Sequence, residues 1–159
     1  MNFKVKYQRG AQAVEFALVL PFFLALLLLI IDFGFLVYNK AVITNASREG
    51  ARAGTVLTAV PWTTTAVAAV ACNYAKNSLI TTSSGTHTSS CGGTADPVIV
   101  VSNPNGNVPP HFGDPVSVRV TYPYQGLLKS LISPSHTSPQ TTAIESAWSL
   151  TASSTMNHE

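Results

Sequence analysis

The stretch FALVLPFFLALLLLII, residues 16–31, decides the fold. Its sixteen uncharged residues make about 24 Å of helix at ~1.5 Å each. A bilayer core of about 30 Å asks for about 20 such residues. The run reaches that length by continuing through DFGFLV to Val37, twenty-two residues and about 33 Å. A complete span therefore carries Glu15 at one edge and Asp32 near the other. A charge costs ~2.5–3.5 kcal/mol at mid-bilayer and less towards the interface, so two acids near the ends leave insertion favourable. Pro21 is expected to kink the helix, which a membrane span tolerates.

Outward from that run, the composition is apolar and charge-poor: 46% hydrophobic and 10% charged, with a mean hydropathy of +0.25. The net charge of +2 is too small for a nucleic-acid surface. Lys4, Lys6 and Arg9 all precede the span, and the remaining chain holds six basic against seven acidic residues. This asymmetry favours a cytoplasmic N-terminus, with everything after about Tyr38 outside. The apolar run is longer than the 7–15 residues of a secretory signal, and the nearest A-x-A beyond it, ARA at 51–53, is far downstream. A retained helix is therefore expected rather than a signal removed by ordinary signal peptidase.

The leader's glycine, followed by AQAV and then EF, resembles the processing site of type IV pilin-like precursors of the tight-adherence (Flp/Tad) branch. The continuation resembles the TadE family of pilus-assembly pseudopilins in Pro21, the DFG at 32–34, Tyr38 and NASREGARAG at 45–54. The ending WSLTASSTMNHE is similar more loosely, and the sibling TadF family has a similar N-terminal segment. The resemblance implies cleavage between Gly10 and Ala11 by an inner-membrane prepilin peptidase. It also implies that Glu15 pairs with the new terminal ammonium of a neighbouring subunit. Without the family, Glu15 reads as an acid in the headgroup region. Asp32 has no basic residue three or four positions away, and reads as a solvated acid at the outer interface or as an assembly contact.

Beyond the span, YNKAVITNASREGARAGTVLTAV meets no breaker until Pro61 and is expected to prolong the helix. Ala46, Gly50 and Gly54 then fall on one face. Each interior Gly costs about 1 kcal/mol against Ala, so the stripe points to close helix packing; fraying near Gly50 is the other reading. Arg48, Glu49 and Arg52 read as a solvated face. Residues 62–80 read as a second helix with a Thr cap, and 81–97 as a loop. VIVVS (98–102) reads as a strand and NPNGN as a turn. VSVRVTY (116–122) alternates as a half-buried strand. GLLKSLI (126–132) reads as one or two amphipathic turns, SPSHTSPQTT as a loop, and Ile144, Trp148 and Leu150 as one face of a last strand. Two cysteines, Cys72 and Cys91, favour one disulfide if this part is exported; two buried thiols are the alternative.

The expected fold is α+β: a long N-terminal transmembrane helix running into a small periplasmic domain with a second helix and a short antiparallel sheet. Its divisions are a basic leader (1–10), the transmembrane helix (11–38), a periplasmic extension (39–60) and the α+β domain (61–159). No hydrolase, zincin, dinucleotide or phosphate-loop motif occurs, so no enzyme and no cofactor are expected. Cys72, His87 and Cys91 lack a fourth zinc ligand; no metal is expected, and the four scattered histidines read as solvated. The function expected is that of a minor pilin in the bacterial inner membrane, used in building an adhesive pilus and able to enter a surface filament. Its expected partners are prepilin peptidase, other pilin subunits, the assembly platform and the lipid bilayer, with no nucleic acid. The runner-up is an uncleaved, membrane-anchored periplasmic binding module.

Overall fold

The computed structural model describes residues 9–56, 62–80, 91, 96–124, 126–127 and 149–158. Helix α1 runs unbroken from Arg9 to Thr55, passing through Pro21. Two different surroundings divide it. From Gln12 to Ile31 almost every side chain is exposed, including Phe16, Phe22, Phe23, Leu26 and Ile30. It is long and apolar enough to cross a membrane. From Asn39 onwards a buried stripe appears at three- and four-residue steps: Asn39, Val42, Ile43, Ala46, Ser47, Gly50, Ala51, Gly54 and Thr55. That spacing keeps one helix face turned towards the rest of the chain. We call that remainder, which packs on α1 from Asp32 to Thr55, the head.

Helix α2 (Thr64–Ser78) is started by Thr63, whose hydroxyl accepts from Ala66 N, and buries Val67, Ala71, Cys72 and Ala75. It is shorter than the 62–80 expected. Trp62 lies outside it and donates its indole N–H to Gly54 O (2.9 Å), satisfying a carbonyl in the last turn of α1. Strands β1 (Val98–Ser102), β2 (Pro115–Pro123) and β3 (Ser149–Asn157) form an antiparallel sheet in the order β1-β2-β3. Central β2 alternates as expected. Val116, Val118, Val120 and Tyr122 are buried to 1% or less, while Ser117, Arg119 and Thr121 face the other way. The register sets Val120 beside Ile99 and Ala152, and Tyr122 beside Leu150.

The described part of the last strand is Ser149–Asn157. Leu150, Ala152, Ser154 and Met156 share its inner face, whereas Ile144 and Trp148 lie outside the described residues, as do most of GLLKSLI and of the 81–97 loop. The two helices cover the inner face of the sheet, with Ile43, Val67, Ala71, Val118, Val120 and Tyr122 at the centre of the core. Chain direction sets which end of the head lies nearest the bare segment. α1 rises from that segment towards Thr55, and β2 descends beside it, with Val116 facing Gly54 and Tyr124 reaching Asp32.

Candidate functional site

The candidate site is the N-terminal half of α1 and the place where the head meets it. Gly10 sits in the first turn, exposed, and a Cβ built there would meet nothing within 4 Å. Glu15 is exposed and makes no hydrogen bond or ion pair among the described residues. Gly10 and Glu15 stand on a stretch of helix that the other described residues leave bare.

Asp32 differs. Its Oδ1 accepts from the Tyr124 hydroxyl (2.6 Å) and from Leu127 N (3.0 Å), and the same hydroxyl lies 3.0 Å from the Asp32 carbonyl oxygen. Gly126 brings its backbone so close that an added Cβ would collide with Asp32 Oδ2, so any side chain there would displace the carboxylate. Burial, and then the hydrogen bond to Asp32, push the Tyr124 hydroxyl well above its usual range. The carboxylate that the sequence left either to water or to another protein is thus held by its own chain.

Two turns further on, Asn39 is fully buried. Its amide nitrogen donates to Ile80 O and its amide oxygen accepts from Ile80 N, both at 2.9 Å. The side chain pairs with a backbone unit as a neighbouring strand would, and fixes the segment leaving α2. Beside it, Lys40 Nζ donates to Thr151 O on β3. Asp32, Asn39 and Lys40 therefore join α1 to the end of β2, the end of α2 and the edge of β3.

The small-residue stripe is consumed in this packing. Ala46 is fully buried. A Cβ at Gly50 would lie 2.9 Å from Ala71 Cβ and 3.1 Å from Val118 Cγ1; one at Gly54 would lie 2.8 Å from Val116 Cγ1. Both glycines let α1 approach α2 and β2 more closely than alanine permits. Cys72 and Cys91 form a disulfide with a Cα–Cα distance of 5.9 Å. Glu49 and Arg52 pair on the solvent side, at 2.7 Å.

At the far end of the head, the turn after β1 is organised by Asp114. Its carboxylate accepts from Asn105 Nδ2 (2.6 Å), Asn107 Nδ2 (2.7 Å) and His111 N (2.7 Å). These bonds, Asn107 first, hold the carboxyl well below the usual carboxylate range. Asn103 Oδ1 accepts from Asn105 N, and Gly106 adopts φ +77°, which favours glycine. His158, expected to be solvated, is 6% exposed: its N–H donates to Asp114 O, and its carbonyl accepts from Gly113 N, both at 2.8 Å. His158 is tied to this turn rather than lying in a loose tail. Among the described residues no group of three His, Cys, Asp or Glu could hold a metal.

Sequence reasoning missed Asn39, Tyr124 and Asp114. A signal was present for the first: the face that carries Ala46 leads down the helix through Ile43 to Asn39 and then to Asp32. No curated protein and no solved structure matches the chain. Residues 10–52, which contain the bare helix, Glu15, Asp32, Asn39, Ala46 and Gly50, match the TadE-like protein family, and over that stretch the chain is similar to it.

Proposed function

We propose that this chain is a non-enzymatic minor pilin (pseudopilin), trimmed by a prepilin peptidase between Gly10 and Ala11, that takes part in assembling an adhesive Flp/Tad-type pilus. The observation that best supports this reading is the contrast between two carboxylates on one helix. Asp32 is hydrogen-bonded within its own chain, whereas Glu15 is exposed on an apolar helix and makes no such bond among the described residues. Cleavage would create an ammonium at Ala11, about one helical turn from Glu15. A neighbour's ammonium and Glu15 entering an apolar layer as a pair cost far less than either does alone.

In this reading the N-terminus is cytoplasmic, the head is periplasmic, and the partners are the peptidase, neighbouring pilin subunits and the inner-membrane assembly platform. Glu15 is the intermolecular contact. Asp32 and the Ala46, Gly50 and Gly54 stripe hold the head on its helix.

Expression with a cognate prepilin peptidase, followed by intact-mass measurement, should give a chain starting at Ala11, and Gly10→Val should block the cut. Glu15→Ala should still be cut, yet lose subunit crosslinking and piliation. Removing one partner of a buried pair costs ~3–5 kcal/mol, and at ~1.4 kcal/mol per decade that is about two to three decades of association. A chain that keeps residues 1–10 would instead support an uncleaved anchored module. Normal crosslinking and piliation in a processed Glu15→Ala strain would sink the pairing.

A further inference from the structure

Among the described residues, the head begins where the bare part of α1 ends. Asp32, the residue after Ile31, already carries the hydrogen bonds to Tyr124 and Leu127. We infer that the end of the head nearest the bare helix, where half-buried Gly126 and Leu127 meet the exposed Phe33, Val37 and Tyr38 of α1, is a lipid-binding surface seated in the outer headgroup layer and held there by the clasp between Asp32 and buried Tyr124. This rests on the reading that α1 crosses the bilayer and that the mature chain starts at Ala11.

Heights along α1 set the level of each group. Gln12 to Ile31 is about 30 Å of helix, the thickness of the hydrocarbon core, and the headgroup layer on each side adds roughly 5–7 Å. Asp32 is then the first residue above the hydrocarbon, and Tyr124 and Leu127 lie at its level, each one hydrogen bond away. On α1 at that height Phe33, Val37 and Tyr38 are 64, 50 and 46% exposed. They stand about 1.5 to 9 Å above Asp32, within or just above the headgroup layer, where an exposed apolar or aromatic side chain is favoured. The next charged side chain, Lys40, comes about 12 Å above Asp32, clear of the layer. Lipid can therefore cover one side of the helix at this level while the head occupies the other.

The seating has no slack in either direction. Raising the head by one turn, about 5.4 Å, would draw the Ala11 ammonium into the hydrocarbon and carry Glu15, already about 4.5 Å inside it, to about 10 Å. Lowering it by one turn would submerge the hydrogen-bonded carboxylate of Asp32. The described side chains open to lipid at this end, half-buried Leu127 with Phe33, Val37 and Tyr38, are apolar or aromatic. The contact is therefore one of interfacial insertion and holds across lipid charge and salt.

The test uses the whole chain in vesicles of phosphatidylethanolamine and phosphatidylglycerol, 3:1, with its disulfide intact. Leu20→Cys, Leu127→Cys and Phe112→Cys each add a single free thiol for a nitroxide label, and oxygen against nickel-chelate accessibility reads its depth. Leu20 should be deep in the hydrocarbon. Leu127 should lie within about 7 Å of the hydrocarbon boundary. Phe112, 87% exposed at the opposite end of the head and roughly 30 Å higher, should be fully in water. In Tyr124→Phe combined with Asp32→Asn, the Leu127 label should move outward while Leu20 stays deep. A Leu127 label as accessible to nickel as Phe112, with Leu20 deep, overturns the seating and leaves the span standing; a shallow Leu20 overturns the span and the seating together. An unchanged Leu127 depth in the double variant refutes the clasp as its cause.

Discussion

Gly50→Ala is the sharpest test of the packing between α1 and the head, because helix propensity and the structure predict opposite signs. Propensity alone favours alanine by about 1 kcal/mol in a helix interior. The added Cβ, however, would lie 2.9 Å from Ala71 Cβ and 3.1 Å from Val118 Cγ1. Neither atom is the end of a flexible chain, since Ala71 Cβ moves only with the backbone of α2 and Val118 is fully buried in central β2. Relieving such contacts costs typically 1–3 kcal/mol. Less the propensity gain, the expected outcome is a loss of about 1 kcal/mol, a few degrees in melting temperature. Gly34 provides the control: it lies on the same helix, and a Cβ there would meet nothing within 4 Å. Thermal unfolding of the detergent-solubilised chain, followed by near-ultraviolet circular dichroism, should show Gly50→Ala melting earlier than the parent, whereas Gly34→Ala, free to take the propensity gain, should melt no earlier. A Gly50→Ala variant that melts later than the parent would refute the close approach and leave the glycine as a mere weak point in the helix.

Asn39→Leu should destabilise the head by about 2 kcal/mol or more in chemical denaturation, because Ile80 N and O both lose their partner at a buried site; Asn39→Asp should recover only the bond to Ile80 N. Reducing Cys72–Cys91 should lower stability by roughly 3 kcal/mol, the chain-entropy expectation for a loop near this length. Denaturation with and without reductant reads it, and peptide mapping that recovers both thiols free from the exported protein would refute the bond. Asp114 makes a signed pH prediction. Its native carboxyl is held down by Asn107, Asn105 and His111 N, so the unfolded chain takes up that proton first. Its contribution is complete above about pH 3.9, the ordinary carboxylate value, and falls away as the pH drops further. Acid melts of Asp114→Asn should lack that part of the slope; equal slopes for variant and parent would contradict it.

What was readable in the sequence was what depends on near neighbours along the chain. An uncharged run long enough for a bilayer needs no partner to be recognised, and the strict alternation from Val116 to Tyr122 identifies a half-buried strand by itself. The fates of the polar side chains were not readable. Asp32 finds Tyr124 ninety-two positions away and Asn39 finds Ile80 forty-one away, and nothing local to either residue encodes those meetings. A partial warning was nevertheless present. A polar side chain on the face that also carries Ile43 and Ala46 would be buried once that face packs, and a buried amide or carboxylate demands hydrogen bonds.

The continuity of α1 has a rotational consequence. A helix advances by 3.6 residues per turn, or about 100° of azimuth per residue, and no break separates Glu15 from Asp32. The direction in which the head faces around the helix axis is thus phased to the direction in which Glu15 points, as a hand is phased to its shaft. One residue inserted between Ile31 and Asp32 would lift the head by only about 1.5 Å yet swing it through about 100°. Seven inserted residues would restore the bearing to within about 20° and lengthen the span by about 10 Å. Any assembly that grips this protein by Glu15 therefore receives the head at a set compass angle.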